Sequence, residues 1–381
     1  MALTWPEGIR SSGVACGIKE AGALDLGLLV VEEPSAWAGT FTKNGAAAAC
    51  VEWSRSLLGS PIRAVVVNSG NANACTGRAG VQAVQATARA VAAELGCRES
   101  EVAVASTGPI GVPLPVDRVV GSVGTATAAL ESSPASLARA IMTTDTTTKT
   151  ATATVGGCSI VGVAKGAAML APNMATMLAF VATDAPLDAL ALQPALNHAV
   201  KRSFDRISVD ACESTNDSVF LVTSGRGPAV DEQDFASGLA EVCRSLAEQM
   251  VRDAEGGSKL VRIEISGAED EETATALGKS VAASALWRSA LHGADPNWGR
   301  VLAALGTVDR KLALDEVQVS IAGHLVFDDG QPTGDLAVAA SAMRADDFTV
   351  ACRVGDSDVA VEILTTDLSP DYVLLNAGGM S

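Results

Sequence analysis

Lys165 and Thr176 pose the chemical question in this chain. They lie eleven residues apart in Lys165-Gly166-Ala167-Ala168-Met169-Leu170-Ala171-Pro172-Asn173-Met174-Ala175-Thr176-Met177-Leu178-Ala179-Phe180, a run otherwise made mostly of small and apolar side chains. A threonine hydroxyl is a weak nucleophile until a base takes its proton, and none of the three histidines lies nearby. Cutting the Ala175–Thr176 peptide bond would supply the base, because Thr176 would then carry a free α-amine beside its own hydroxyl. Such an amine titrates near about 7.7–8.0 in a model peptide, close to the neutral pH where a general base works well. Read by itself, Thr176 equally opens a strand over Met177–Val181, and that plain reading outweighs the chemical one.

An acyl-transfer nucleophile needs donors for the oxygen that turns negative in the tetrahedral intermediate. Thr107-Gly108, after a short strand at Val102–Ala105, offers a hydroxyl and a close-approaching backbone N–H from one turn. A plain turn explains it as well. Glu255 stands at the end of a helix predicted over Phe235–Ala254, where the macrodipole opposes a carboxylate by roughly 0.3–1 kcal/mol. A solvated helix end and a functional carboxylate carry comparable weight there.

Other elements must hold these groups. Ala64–Val67 reads as a strand ending in a loop with Asn68, Asn71 and Asn73, followed by a helix with Val81, Val84, Ala88, Val91 and Leu95 on one stripe and Gly96 as its stop. Ser133-Pro134 opens a helix through Ala140. Thr150–Val155, Gly156-Gly157 and Cys158–Ala164 form a hairpin pattern that leaves Lys165 at its far end. Leu190–Val200 and Thr273–Leu291 read as helices, and Lys259–Ser266 as a strand. From Glu316 to Leu375 the chain reads as short strands with hairpin turns at Ala322-Gly323 and Gly355-Asp356. Thr223–Asp234 gathers glycine, proline and acidic residues and reads as a linker.

The run Lys165–Phe180 resembles the self-cleavage segment of the ornithine acetyltransferases, the glutamate N-acetyltransferases of arginine biosynthesis. The resemblance extends over essentially the whole chain. It includes Gly39-Thr40-Phe41-Thr42-Lys43-Asn44, Ala64–Gly77, Thr107-Gly108, Ile141-Met142-Thr143-Thr144-Asp145-Thr146, Phe204–Ser218, Val251–Gly257 and Asp295-Pro296-Asn297-Trp298-Gly299-Arg300.

The resemblance implies a cut between Ala175 and Thr176, giving chains 1–175 and 176–381. Thr176 becomes the nucleophile, and Thr107 and Gly108 the oxyanion hole. Thr143, Lys165, Thr176, Glu255, Asn376 and Ser381 become substrate contacts, with Lys165 suited to a carboxylate and Glu255 to an ammonium. The tail departs from the family pattern. Asn376 and Ser381 keep the spacing and a terminal hydroxyl, but Gly378-Gly379 replaces a stiffer aromatic ending.

The implied reaction moves an acetyl group from N2-acetylornithine to glutamate by a ping-pong cycle through acetyl-Thr176. No cofactor is implied. The family divides over acetyl-CoA as a second donor, and both readings stand. Two rivals remain: a related N-terminal-nucleophile amide hydrolase or aminopeptidase, and an uncut, catalytically silent binding protein. The implied fold is an N-terminal-nucleophile-like α/β sandwich over 1–222 with a smaller α/β part over 235–381, assembled as an α2β2 heterotetramer.

Composition narrows the class independently. Hydrophobic residues make up 48% and aromatics 3%, with 36 glycines, so the core must be closely approached layers of Ala, Val and Leu, as in α/β folds. A net charge of −17 argues against a nucleic-acid partner. Eight cysteines without a Cys-x-x-Cys pair read as reduced thiols rather than a disulfide or zinc framework. No basic region followed by an apolar one opens the chain and no run of 18 apolar residues occurs, so a cytoplasmic protein without membrane contact is expected.

Overall fold

The computed structural model describes residues 3–20, 22–169 and 177–377. Ala175, Thr176 and Ser381 lie outside the described residues.

Two sheets form the main body. The first has order β1-β2-β4-β5, with β1 Ile9–Val14, β2 Leu26–Ser35, β4 Ile62–Ser69 and β5 Val102–Thr107. The second has order β3-β9-β8-β7-β6, with β3 Trp37–Phe41, β6 Lys149–Val155, β7 Cys158–Lys165, β8 Leu178–Thr183 and β9 Ser218–Thr223. Only the pairs β4/β5 and β8/β9 are parallel within these two sheets.

The central strands are buried on both faces, which is why they read as continuous apolar runs rather than as alternation. Leu178, Phe180 and Ala182 of β8, with Phe220 and Val222 of β9, face the first sheet. Ala179, Val181, Val219 and Leu221 face the opposite way, onto α5 (Ala189–Lys201) and α6 (Glu232–Arg252). The outer side of the first sheet carries α1 (Ala49–Ser56), α2 (Gly77–Leu95) and α3 (Val116–Ala128), and α4 (Ala135–Ala140) packs on β1 and β2. This is the expected layered α/β sandwich, helix on sheet on sheet on helix. The few aromatics are concentrated: Phe180 stacks on Phe220 at 5.5 Å, and Trp37 on the same ring at 6.1 Å.

A third sheet has order β13-β12-β11-β14-β10-β15, with β10 Leu260–Ser266, β11 Gln318–Ile321, β12 His324–Asp328, β13 Gln331–Pro332, β14 Asp347–Arg353 and β15 Ala360–Thr365. It shares a separate core with α7 (Glu271–Ala283), α8 (Ala285–His292) and α9 (Trp298–Val308). Two short helices, α10 (Leu336–Ala342) and α11 (Pro370–Ala377), complete the chain.

Several expectations change. By packing, α6 goes with the five-stranded sheet, not with the C-terminal part to which a boundary between 222 and 235 assigned it. The single helix expected over 273–291 is two, because Ser284 adopts an extended backbone and its Oγ accepts the Trp287 N–H at 3.3 Å. Gly355-Asp356 makes no hairpin: β14 and β15 both pair with β10, which lies between them. Val81, placed on the apolar stripe of α2, is 49% exposed. The hairpin at Gly156-Gly157 stands, with φ +57° and +87°, the double left-handed turn that two glycines favour.

Candidate active site

One cavity of about 200 Å³ brings together Thr107, Gly108, Thr143, Lys165, Glu255 and Asn376. These are all the expected site residues that fall within the described part of the chain. Drug-sized ligands need roughly 300–1,000 Å³, so this space suits a single amino-acid-sized molecule.

Thr107 ends β5, and its carbonyl accepts the Asn71 N–H at 3.0 Å. Gly108 follows at φ +136°, so close to the Asn71 loop that a Cβ there would meet Asn71 N at 2.4 Å and Gly70 C at 2.6 Å. Only glycine fits. The asparagines grip this loop rather than line the cavity: Asn68 Nδ2 donates to Asn71 O at 2.8 Å, and the Ser106 hydroxyl donates to Asn68 Oδ1 at 2.7 Å.

Lys165 is the last residue of β7 and pairs across the sheet with Leu178, two positions after Thr176. Strand register therefore brings a cation to the neighbourhood of the expected cut. The side chain is 2% exposed, and its Nζ donates to Thr107 Oγ1 at 3.1 Å. Burial pulls the Lys165 pKa down, opposed by the charge of Asp145 and, less, by Asp217 and Glu255. A hydroxyl that accepts from a lysine keeps its own hydrogen to give, so Thr107 can donate into the cavity.

Asp145, which sequence reading passed over within its motif, organises this region. Its carboxylate accepts the Thr143 N–H at 3.0 Å, the Gly166 N–H at 2.7 Å and Lys149 Nζ at 2.7 Å. Burial pushes the Asp145 pKa up, but the charges of Lys165 and Lys149 outweigh it and hold the carboxyl at about 2. Thr143 is thereby fixed in a loop, not in a strand.

Glu255 is not at a helix end. It lies beyond α6, and its N–H donates to Ala167 O at 2.8 Å, so the macrodipole argument for it falls. Its Oε2 accepts from Asn376 Nδ2 of α11 at 2.9 Å. Its Oε1 is buried without a partner among the described residues. A buried, unsatisfied carboxylate oxygen at a cavity wall is a ready acceptor for an ammonium.

The polar run after Asp210 forms the remaining wall, with Asp210, Ser214, Thr215 and Asn216 on the cavity. Asn216 Nδ2 donates to Ala72 O at 2.6 Å and to Ser106 O at 2.9 Å, bolting this wall to the loops on either side of Thr107. Tyr372, also on the wall, gave no signal in sequence beyond its place near the tail.

The ArgJ family model matches residues 10–380. The chain belongs to the ArgJ family. The arginine biosynthesis bifunctional protein ArgJ of Streptomyces avermitilis is 44% identical over 381 residues, covering 99% of each chain. Among solved structures, ArgJ of Bacillus halodurans is 32% identical with a TM-score of 0.50, covering 52% of this chain and 98% of that one. An ornithine acetyltransferase of Mycobacterium tuberculosis, solved with ornithine, is 41% identical, covering 44% of this chain and 92% of its own, with a TM-score of 0.40. Among the described residues, no helix is long and apolar enough to cross a membrane.

Proposed function

We propose that this ArgJ-family chain is a glutamate N-acetyltransferase that cuts itself before Thr176 and then carries the acetyl group on that residue. The observation that carries the reading is the joining of two features in one amino-acid-sized cavity. One is the Thr107–Gly108 donor pair, steadied by Lys165, and the other is the unpaired Glu255 oxygen. The first fits a developing oxyanion and the second an ammonium.

In the transfer, Thr176 Oγ attacks the acetyl carbonyl of N2-acetylornithine while the Thr176 amine takes the hydroxyl proton. Thr107 and Gly108 donate to the oxyanion. Ornithine leaves with that proton, and the glutamate amine then attacks acetyl-Thr176, the C–Oγ bond breaking as a proton from that amine passes through the Thr176 amine back to Oγ, to give N-acetylglutamate. Lys165 suits the α-carboxylate of either substrate, Glu255 suits an ammonium, and Thr143, Asn376 and Ser381 add polar contacts. Acetyl-CoA would form the same acetyl-Thr176 with a thiol leaving, and its acceptance is open to direct assay.

In self-cleavage the same Oγ attacks the Ala175 carbonyl, the Ala175–Thr176 C–N bond breaks as the amine takes a proton and leaves, and water then hydrolyses the resulting ester to free the two chains. We propose that the pieces pair as α2β2 in the cytoplasm.

The test is Thr176→Ala. Intact mass under denaturing conditions should give chains 1–175 and 176–381 for the wild type and one uncut, inactive chain for the variant. Full activity in the variant would sink the mechanism. Product analysis with and without glutamate separates transfer from amide hydrolysis.

A further inference from the structure

The segment 141–148 carries Thr143 from α4 to β6 without a strand ladder of its own, so side chains must fix it. The peptide that joins Met142 to Thr143 is gripped at both poles. Its N–H donates to Asp145 Oδ2 at 3.0 Å, and its carbonyl accepts from Lys19 Nζ at 2.5 Å. Lys19 belongs to the loop between β1 and β2, and the reaction as written gives it nothing to do.

Lys19 is itself firmly held. Its Nζ also donates to Leu24 O at 3.0 Å. The fully buried Asp25 carboxylate accepts the backbone N–H groups of Cys16 at 2.5 Å, Ile18 at 2.6 Å and Lys19 at 2.9 Å. The Lys19 stem lies on Gly70, where at φ +88° a Cβ would meet Lys19 Cγ at 2.9 Å. Gly70 is in turn the residue that Gly108 is pressed against. One side chain thus spans two walls of the site, its stem backing the Gly108 turn and its head holding the Thr143 loop. The described residues that line the cavity include Thr143 but not Lys19, so any effect of Lys19 on a bound ligand passes through what it holds.

We propose that Lys19 is a positioning residue for substrate binding, its ammonium fixing the Met142–Thr143 peptide so that Thr143 faces the cavity at a set distance from the Thr107–Gly108 turn. The assignment rests on Thr143 being a substrate contact. A loop peptide free at one pole can rotate and re-aim the side chain that follows it. Charge-assisted bonds at both poles, each stronger than a neutral hydrogen bond, oppose that rotation.

Lys19→Met keeps the stem on Gly70 and removes the ammonium. KM for N2-acetylornithine and for glutamate should rise about five-fold or more, with kcat within about two-fold of wild type. A merely structural loss would lower the active fraction, and so the apparent kcat, without moving KM. Lys19→Arg, which keeps a cation within reach of Met142 O, should hold KM within about two-fold of wild type. Thr143→Ala and the double variant complete the cycle: once Thr143 is gone, Lys19→Met should add less than about two-fold to KM. An unchanged KM in Lys19→Met overturns the proposal, as does an Arg variant as impaired as Met. A five-fold effect that persists beside Thr143→Ala overturns it too, because it would mark a general loss of positive field. Thr143→Ala with a wild-type KM would instead remove the reading of Thr143 on which the proposal rests. If Lys19→Met does not fold, Lys19→Gln, whose side chain is one atom shorter, takes its place under the same outcomes.

Discussion

The proposed oxyanion role of Thr107 needs a free hydroxyl hydrogen, and Lys165 Nζ at 3.1 Å secures that by occupying the oxygen. Replacing Thr107 by Ala should therefore lower kcat by about 10²–10³. Steady-state rates with N-acetylornithine and glutamate would check this, and an unchanged kcat would take Thr107 out of the oxyanion hole. The residues that meet on this cavity could be named from sequence because each sits in a compact motif. Their supporting carboxylates could not. Asp217 reaches Met177 across forty residues, and Asp145 meets Gly166 across twenty-one. Nothing local in a sequence marks a carboxylate as the partner of a distant N–H.

Among the elements, α11 is held to the site by contact rather than by a core. None of its residues is buried, and Asn376 reaches Glu255 from its last turn. Gly256 sets how closely it can approach: at φ +66°, a Cβ there would meet Tyr372 N at 2.3 Å and Tyr372 Cα at 2.7 Å. Gly256→Ala should push α11 outward and raise KM for the amino-acid substrates roughly ten-fold, about 1.4 kcal/mol. Self-cleavage should continue at the wild-type rate, because the contacts at stake join α11 to Gly256 and Glu255, beyond α6. Intact mass and a KM measurement on one sample would separate the two effects. The Gly156-Gly157 hairpin was readable because its turn is local. The order of β14, β10 and β15 was not, since a strand that begins 87 residues before β14 enters between two neighbours in sequence.

At the scale of the molecule, one buried ion cluster joins the two regions that sequence reading treated as separate. Lys149 Nζ meets Asp145 at 2.7 Å and Asp253, just past α6, at 2.5 Å. The Asp145 carboxyl is held at about 2 in the fold against an ordinary 3.8, so the folded state binds fewer protons between those values. Its contribution is present above pH 4 and is lost as pH falls toward 2. The stability gap between wild type and Asp145→Asn, from urea unfolding at each pH, should be constant above about pH 5. It should then shrink by on the order of 2 kcal/mol by pH 2. A gap that does not change with pH would remove the ionised state of Asp145 from the account. The layers themselves were legible from composition and from doubly buried apolar strands, whereas the placement of α6 required its packing.

The strand order β3-β9-β8-β7-β6 has a consequence for a chain severed between 175 and 176. The outer strands β3, β7 and β6 would belong to one fragment and the two inner strands β9 and β8 to the other. Each fragment would fill the gap in its partner's ladder, so the halves would behave as a dovetail joint made by sawing one finished piece. They would come apart only by unfolding. Fragments made separately would keep the first sheet in one and the third in the other, but neither would hold a complete five-stranded sheet.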